Sequence, residues 1–247
     1  MAPRAPFQSL FYDLFDAIVP PRCPGCGRRG APVCGPCAAT LAPAPVVAPP
    51  PPVTWWAACF AYEGVARELV ARAKYRNERR FLVLVARELA RAIEAAPSSI
   101  DLVTWAPAST ARIRAQGVDH GELLARTVAR LTGRKVAPTL HRGSGSAQTG
   151  LDAAARRRGP HLRAIGRVAG ASVLVVDDVA TTGGTLAAAA RALRAAGAAS
   201  VLAATIARTP RPAGAPKRSA YTPATPAGTR APSSMGSRWT SSSSASM

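Results

Sequence analysis

Residues 171–197 read ASVLVVDDVATTGGTLAAAARALRAAG, and the order of those residues decides the fold. Val173 to Val176 is an unbroken β-branched and aliphatic run, the pattern of a strand buried on both faces of a parallel sheet. The strand is expected to leave the sheet at Asp177 and Asp178. Adjacent carboxylates repel each other unless a cation, a hydrogen-bond donor or a polyol joins them. Thr181, Thr182, Gly183, Gly184 and Thr185 follow, and Leu186 to Ala196 is alanine-rich enough to form a helix directly behind them. Glycines let the backbone approach a ligand, threonines offer hydroxyls, and the N–H groups of a helix start favour an anion. The stretch therefore predicts a strand, a pair of acids for sugar hydroxyls or a metal, and a phosphate cup.

A chain of 247 residues is long enough for one α/β domain with small appendages. Its net charge of +19 and pI near 11.4 come almost wholly from arginine, since Lys74, Lys135 and Lys217 are the only lysines. Part of that bias can reflect codon usage, and its sign favours polyanionic partners such as phosphorylated metabolites or nucleic acid. No apolar run approaches the roughly 20 residues of a membrane helix, and the first residues lack a signal-peptide core. A cytoplasmic protein with no membrane span is expected.

Cys23, Cys26, Cys34 and Cys37 form two CxxC pairs on glycine and proline turns in CPGCGRRGAPVCGPC. Four thiolates at this spacing can converge on one structural Zn²⁺, redox chemistry or lost metal binding being the alternatives. Cys59, in WWAACFAY, reads as a small buried hydrophobe. Ahead of the knuckle, Leu10, Phe11, Leu14, Phe15 and Ile18 recur at helical spacing. After it, residues 42–52, APAPVVAPPPP, make an extended proline-rich linker. The expected organisation is a helix and zinc knuckle over 1–41, the linker, a main domain over 53–207, and a tail over 208–247.

Within the main domain, Val53 to Tyr62 reads as a strand and Gly64 to Arg91 as helix interrupted near Tyr75 to Glu78. Lys74, Arg76, Arg79 and Arg80 surround Tyr75, as a solvated face or as a phosphate or nucleic-acid contact. Asp101 to Ala106 is a second strand, followed by a turn and a helix starting near Asp119. Loops at the carboxyl ends of parallel strands line the ligand crevice, so Ser109, Thr110, Arg112 and Arg114 belong at the same edge as Asp177. Residues 142–158, RGSGSAQTGLDAAARRR, combine a pliable first half with Gln148, Thr149, Arg156, Arg157 and Arg158, as in a lid or an ordinary flexible loop. Val201 to Ala207 is the last expected strand. No acid occurs after Asp178, and residues 208–247 are too polar to order themselves, whether as a basic tail or as the product of a shifted reading frame.

DDVATTGGT resembles the phosphoribosyl diphosphate (PRPP) loop of type I phosphoribosyltransferases. The knuckle, the Tyr62-Glu63-Gly64 turn, the helix around Lys74 and Tyr75, QGVDH at 116–120, RGSGSAQTGL and the final loop stand in an order similar to the ComF family, over about Phe11 to Arg208. That resemblance implies an α/β type I phosphoribosyltransferase fold: a mostly parallel sheet flanked by helices, with a small N-terminal zinc module and a disordered C-terminal tail. It implies that Asp177 and Asp178 hold the ribose hydroxyls, that Ala180 to Thr185 cradle the 5′-phosphate, and that Mg²⁺ accompanies PRPP. Arg112, Arg114, Gln148 and Arg156 become candidates for pyrophosphate or hood contacts. ComF-like proteins are associated with DNA uptake in natural transformation, which implies single-stranded DNA and DNA-uptake proteins as partners. The chain departs from the family where Gln116 to His120 replace an Arg-Gly-Phe-Asn/Asp-Gln stretch. Purine-salvage enzymes that resemble this motif often carry an acid two positions before the first loop glycine, where this chain has Thr181. Two functions follow: a phosphoribosyl transferase, or a non-catalytic metabolite sensor or single-stranded-DNA-associated protein using the same pocket.

Overall fold

The computed structural model describes residues 20–75, 79–143 and 159–210, which form two compact units divided between Leu41 and Ala42. The expected helix at Leu10 to Ile18, residues 144–158 of the expected lid or loop, and the expected tail beyond Pro210 lie outside the described residues, as do the side chains of Tyr75, Arg79 and Arg80.

In the first unit, Cys23 N–H donates to the Arg28 carbonyl at 2.8 Å and Gly27 N–H donates to the Cys23 carbonyl at 2.9 Å, folding the first CxxC into a turn. Helix α1 (Gly35–Ala38) carries the second pair, with Cys34 at its N-cap and Pro36 in its first turn, where a missing N–H costs nothing. Among the described residues, Cys23, Val33, Ala38 and Leu41 are the buried apolar ones of this unit.

The second unit is built on a five-stranded sheet in the order β1-β7-β6-β2-β3, every neighbouring pair parallel. Its strands are β1 (Trp55–Ala61), β2 (Leu102–Trp105), β3 (Lys135–Val136), β6 (Ser172–Ala180) and β7 (Ser200–Arg208). A separate antiparallel pair joins β4 (Leu140–Arg142) and β5 (Leu162–Ala164). Helices α2 (Gly64–Tyr75), α3 (Arg79–Ile93) and α5 (His120–Thr132) pack on one face of the large sheet, while α6 (Gly184–Ala195) packs on the other and on β5. The expected interruption of the first long helix falls between α2 and α3.

Central position explains the apolar run. Val173, Val175, Val201 and Ala203 share a core with Leu186, Ala189, Ala190 and Leu193 of α6. Because successive strand residues face opposite ways, Leu174, Val176, Leu202 and Ala204 are buried beneath the other helices. The alanines let α6 lie close to the sheet.

Two local expectations are corrected. Strand β6 does not end before the acids: it continues through them to Ala180, because β7 supplies partners, with Asp177 opposite Thr205, Val179 opposite Ala207 and Ala180 opposite Arg208. The segment after β2 is not all turn, since Ser109 caps a short helix α4 (Thr110–Gln116), which Gly117 closes in the left-handed conformation at φ 73°. No helix among the described residues is long and apolar enough to cross a membrane.

Candidate functional site

The carboxyl ends of β6 and β2 open onto a cavity of about 340 Å³, the crevice position expected of a parallel α/β sheet. Asp177, Asp178 and Val179 form its floor on the β6 side, Ala106 to Ala108 follow β2 along another wall, and Thr181 and Thr185 border it from the loop. The remaining wall mixes cations, aromatics and one further acid: Lys74 from α2, Arg112 and Gln116 from α4, Arg142 from β4, Asp119 with His120 and Gly121 at the start of α5, and Tyr62 after β1.

The two acids are held differently. Asp177 Oδ1 accepts the Asp178 backbone N–H at 2.8 Å, and burial followed by the neighbouring Asp178 charge pushes its carboxyl up to about 7. Asp178 accepts the Val179 N–H at 2.5 Å through Oδ1, and its Oδ2 lies 2.7 Å from the Lys74 ammonium. Arg112 and Lys74 favour the ionised form of Asp177, without reversing the effect of burial.

A third acid is structural. Asp119, 9% exposed, caps α5 by accepting the Gly121 N–H at 2.9 Å and the Glu122 N–H at 3.4 Å through Oδ1, and accepts the Ala108 N–H at 3.0 Å through Oδ2. It thereby ties the loop after β2 to the helix that presents His120. Burial, countered in part by Asp178, lowers the His120 pKa and favours its neutral imidazole. Burial likewise lowers that of Arg142, whose Nη1 donates to the Pro107 carbonyl at 3.4 Å.

The loop from Thr181 to Thr185 is braced from two sides. Gly183 is the N-cap of α6 at φ 75°, and a Cβ there would lie 3.0 Å from Pro50 Cγ, so the linker covers that position closely. Thr182 Oγ1 accepts the Gly184 N–H at 3.3 Å. Ala180 is buried at the strand end, where its carbonyl accepts the Thr209 N–H at 3.1 Å. Of the candidates from sequence, the cavity gathers Asp177, Asp178, Thr181, Thr185 and Arg112; Ala180, Thr182, Gly183, Gly184 and Arg114 do not line it, and Gln148 and Arg156 lie outside the described residues. Lys74, Tyr62, His120 and Arg142 all fall in stretches that carry the family resemblance, but no residue pattern marked them individually as lining the cavity.

In the first unit, the four Sγ atoms of Cys23, Cys26, Cys34 and Cys37 lie within 4.8 Å of one another, with Cys26 and Cys34 at 3.6 Å. A tetrahedral Zn²⁺ with bonds of about 2.3 Å spaces its sulfurs by roughly 3.8 Å, so the cluster can hold such a metal ion. Burial opposes the Cys23 thiolate, yet N–H groups of Cys34, Cys26 and Gly25 bring its pKa down to about 6. A hydrogen bond with Cys34 pushes Cys37 up to about 12. Cys59 is different: burial first, and Glu88 second, push it up to about 12, so it remains a thiol.

The phosphoribosyl transferase domain family matches residues 119–226, which contain α5, β6, the loop and α6. No curated protein matches the chain. Solved structures similar to it include a glutamine PRPP amidotransferase from B. subtilis complexed with ADP and GMP, at 22% identity and TM-score 0.38 over 55% of this chain and 30% of that one. A phosphoribosylpyrophosphate synthetase from Mycobacterium smegmatis is similar at 21% identity and TM-score 0.32, over 51% of this chain and 33% of that one. An adenine phosphoribosyltransferase from Thermoanaerobacter pseudethanolicus is similar at 18% identity and TM-score 0.36, over 54% and 83% respectively. The chain thus spans about a third of the length of the first two. With the match at 119–226 and the parallel sheet that carries the acids at the end of its central strand, the fold is of the phosphoribosyltransferase type.

Proposed function

We propose that the chain binds PRPP or a related ribose phosphate, with the ribose hydroxyls on Asp177 and Asp178 and the 5′-phosphate against Thr181 to Thr185 at the start of α6. The observation that carries this reading is the acid pair on the floor of a cavity that also contains Arg112, Arg142 and two loop threonines. Carboxylates accept the hydroxyl protons, and guanidinium groups suit a pyrophosphate by charge-assisted, bidentate bonding. The match to the phosphoribosyl transferase domain over the same loop supports it.

Mg²⁺ suits the donor set, since it takes one or two carboxylates and fills its remaining positions with water and substrate phosphate oxygens. When bound it would neutralise charge on the pyrophosphate as that group leaves. Asp177 and Asp178 orient the ribose, Arg112 and Arg142 receive the pyrophosphate, and His120 is a neutral proton acceptor within the same cavity for an incoming amine or base. The chain is then a phosphoribosyl transferase with Zn²⁺ in its N-terminal knuckle as a structural ion, a proline-rich linker over 42–52, a transferase-like domain over 53–207, and a tail from 208. The order of motifs further supports a ComF-like role on the cytoplasmic side in DNA uptake, the net charge of +19 being suited to single-stranded DNA.

A second reading has its own support. Thr181 lines the cavity where salvage enzymes carry a carboxylate, and the third cavity acid, Asp119, is occupied by three backbone N–H groups. This favours a non-catalytic sensor or docking protein that keeps the pocket. Incubation with labelled PRPP, Mg²⁺ and candidate amine or base acceptors separates the two. Acceptor-dependent release of pyrophosphate supports transfer, whereas saturable binding without release supports the sensor.

A further inference from the structure

From the ion pair between Lys74 and Asp178 we infer that Lys74 is an internal counter-ion that keeps divalent metal off the acid pair of Asp177 and Asp178 in the ligand-free pocket. The inference deepens the ribose-phosphate reading and rests on it only for its functional consequence.

Lys74 stands in the last turn of α2, where a helix favours a cation, and reaches the end of a central strand from a different layer of the fold. Its Nζ is 2.7 Å from Asp178 Oδ2, and the two side chains are only 16% and 19% exposed, so this is not a screened surface pair. The other Asp178 oxygen accepts the Val179 N–H, and Asp177 Oδ1 accepts the Asp178 N–H. Among the described residues, every charged group that lines the cavity with the acids is a cation or is already committed: Arg112 and Arg142 are cationic, His120 favours its neutral form, and Asp119 serves backbone donors.

A Mg²⁺ ion bound to Asp178 would sit about 2.1 Å from a carboxylate oxygen, beside an ammonium already in contact with that carboxylate. The dication and the ammonium repel each other at that range in a partly buried site. The empty pocket is therefore neutralised without metal. Ribose 5-phosphate, which brings no pyrophosphate, binds without needing a divalent ion, whereas metal enters with a ligand that supplies phosphate oxygens of its own. Lys74 is a positioning residue in this scheme, acting through Asp178.

The test uses the full-length, zinc-saturated chain and Mn²⁺ alone as the probe, followed by the loss of the free-ion paramagnetic resonance signal. Wild type and Lys74→Arg should show no binding that depends on Asp178. Lys74→Met should gain a site at least about tenfold tighter than any in wild type, and Asp178→Asn added to it should remove the gain. Tight Mn²⁺ binding by wild type that Asp178→Asn abolishes overturns the inference without need of the Lys74 variants. So does a Lys74→Met protein that gains no site, or whose site survives Asp178→Asn. Calorimetry with ribose 5-phosphate in chelator and in Mg²⁺ keeps the two claims separate. If wild type binds no ribose phosphate while Lys74→Met gains Mn²⁺, the proposed function fails and the counter-ion stands; wild-type binding of ribose 5-phosphate that requires Mg²⁺ overturns the counter-ion alone.

Discussion

A Cβ placed on Gly159 would lie 2.2 Å from the carbonyl oxygen of Gly184, and Gly159 itself adopts φ 72°. The segment returning to β5 thus presses its backbone directly onto the first turn of α6, the turn that receives the phosphate in the proposed function. Gly159→Ala combines a strained left-handed backbone with a clash against main-chain atoms that cannot rotate away. Overpacking of this kind costs roughly 1–3 kcal/mol. Chemical denaturation should show a lowered midpoint, and ribose-phosphate affinity should fall with it, because relief of the clash moves the Gly184 peptide.

The pH dependence follows from Asp177. Its carboxyl is raised from 3.8 to about 7 by burial and by Asp178, so between those values the folded protein keeps a proton that the unfolded chain has lost. This residue's contribution to stability is complete below about pH 4 and is lost as pH rises to about 7. Thermal melts of ligand-free protein should show Asp177→Asn gaining on wild type as pH rises through that window. Ribose-phosphate affinity should run the opposite way, weakening as acidification protonates the acceptor, and Asp177→Asn should flatten that dependence.

These site features were unequally legible. Asp177, Asp178, Thr181 and Thr185 lie on one local strand-loop-helix, so residue order alone exposed them. Lys74, Arg142 and Tyr62 reach the cavity only because the sheet order places β1 and β2 on opposite sides of the β6 and β7 pair, which no local pattern encodes. The extension of β6 through its acids likewise depends on β7, whose Thr205, Ala207 and Arg208 lie alongside. Strands β3, β4 and β5 hold two or three residues each, too few for an alternating pattern to be visible. Helix α4 did leave signals, the Ser109 cap and Gly117, that mark both its ends.

Asp119 offers a test of how the cavity wall is held. Asp119→Ala removes a helix cap and the acceptor for Ala108 N–H together, and a lost cap costs about 0.5–2 kcal/mol. Asp119→Asn keeps an acceptor oxygen and should recover much of the loss. Denaturant titrations of the three proteins give the comparison, and ribose-phosphate affinity should follow the same order because the Ala108 wall loosens with the cap.

The knuckle should contain one zinc ion per chain. Elemental analysis of protein purified without chelator measures it directly. Binding should release protons, because Cys37 is a thiol held up near 12 and must ionise to ligate. Cys23→Ser or Cys34→Ser should lower the zinc content well below one equivalent, while Cys59→Ser leaves it unchanged.

The central claim is that Asp177 and Asp178 receive a ribose phosphate. Calorimetric titration of PRPP with Mg²⁺ into wild type, Asp177→Asn and Asp178→Asn tests it most directly, with Thr185→Val as a probe of the phosphate end. A hydrogen bond to a charged acceptor is worth about 1.5–3 kcal/mol, so each acid variant should bind about tenfold more weakly or worse. Thr185→Val should weaken binding as well, and inorganic phosphate should compete with the ligand. Saturable wild-type binding at one site, reduced in this way, is the predicted result. Absence of any wild-type binding, or binding unchanged in both acid variants, would contradict the claim.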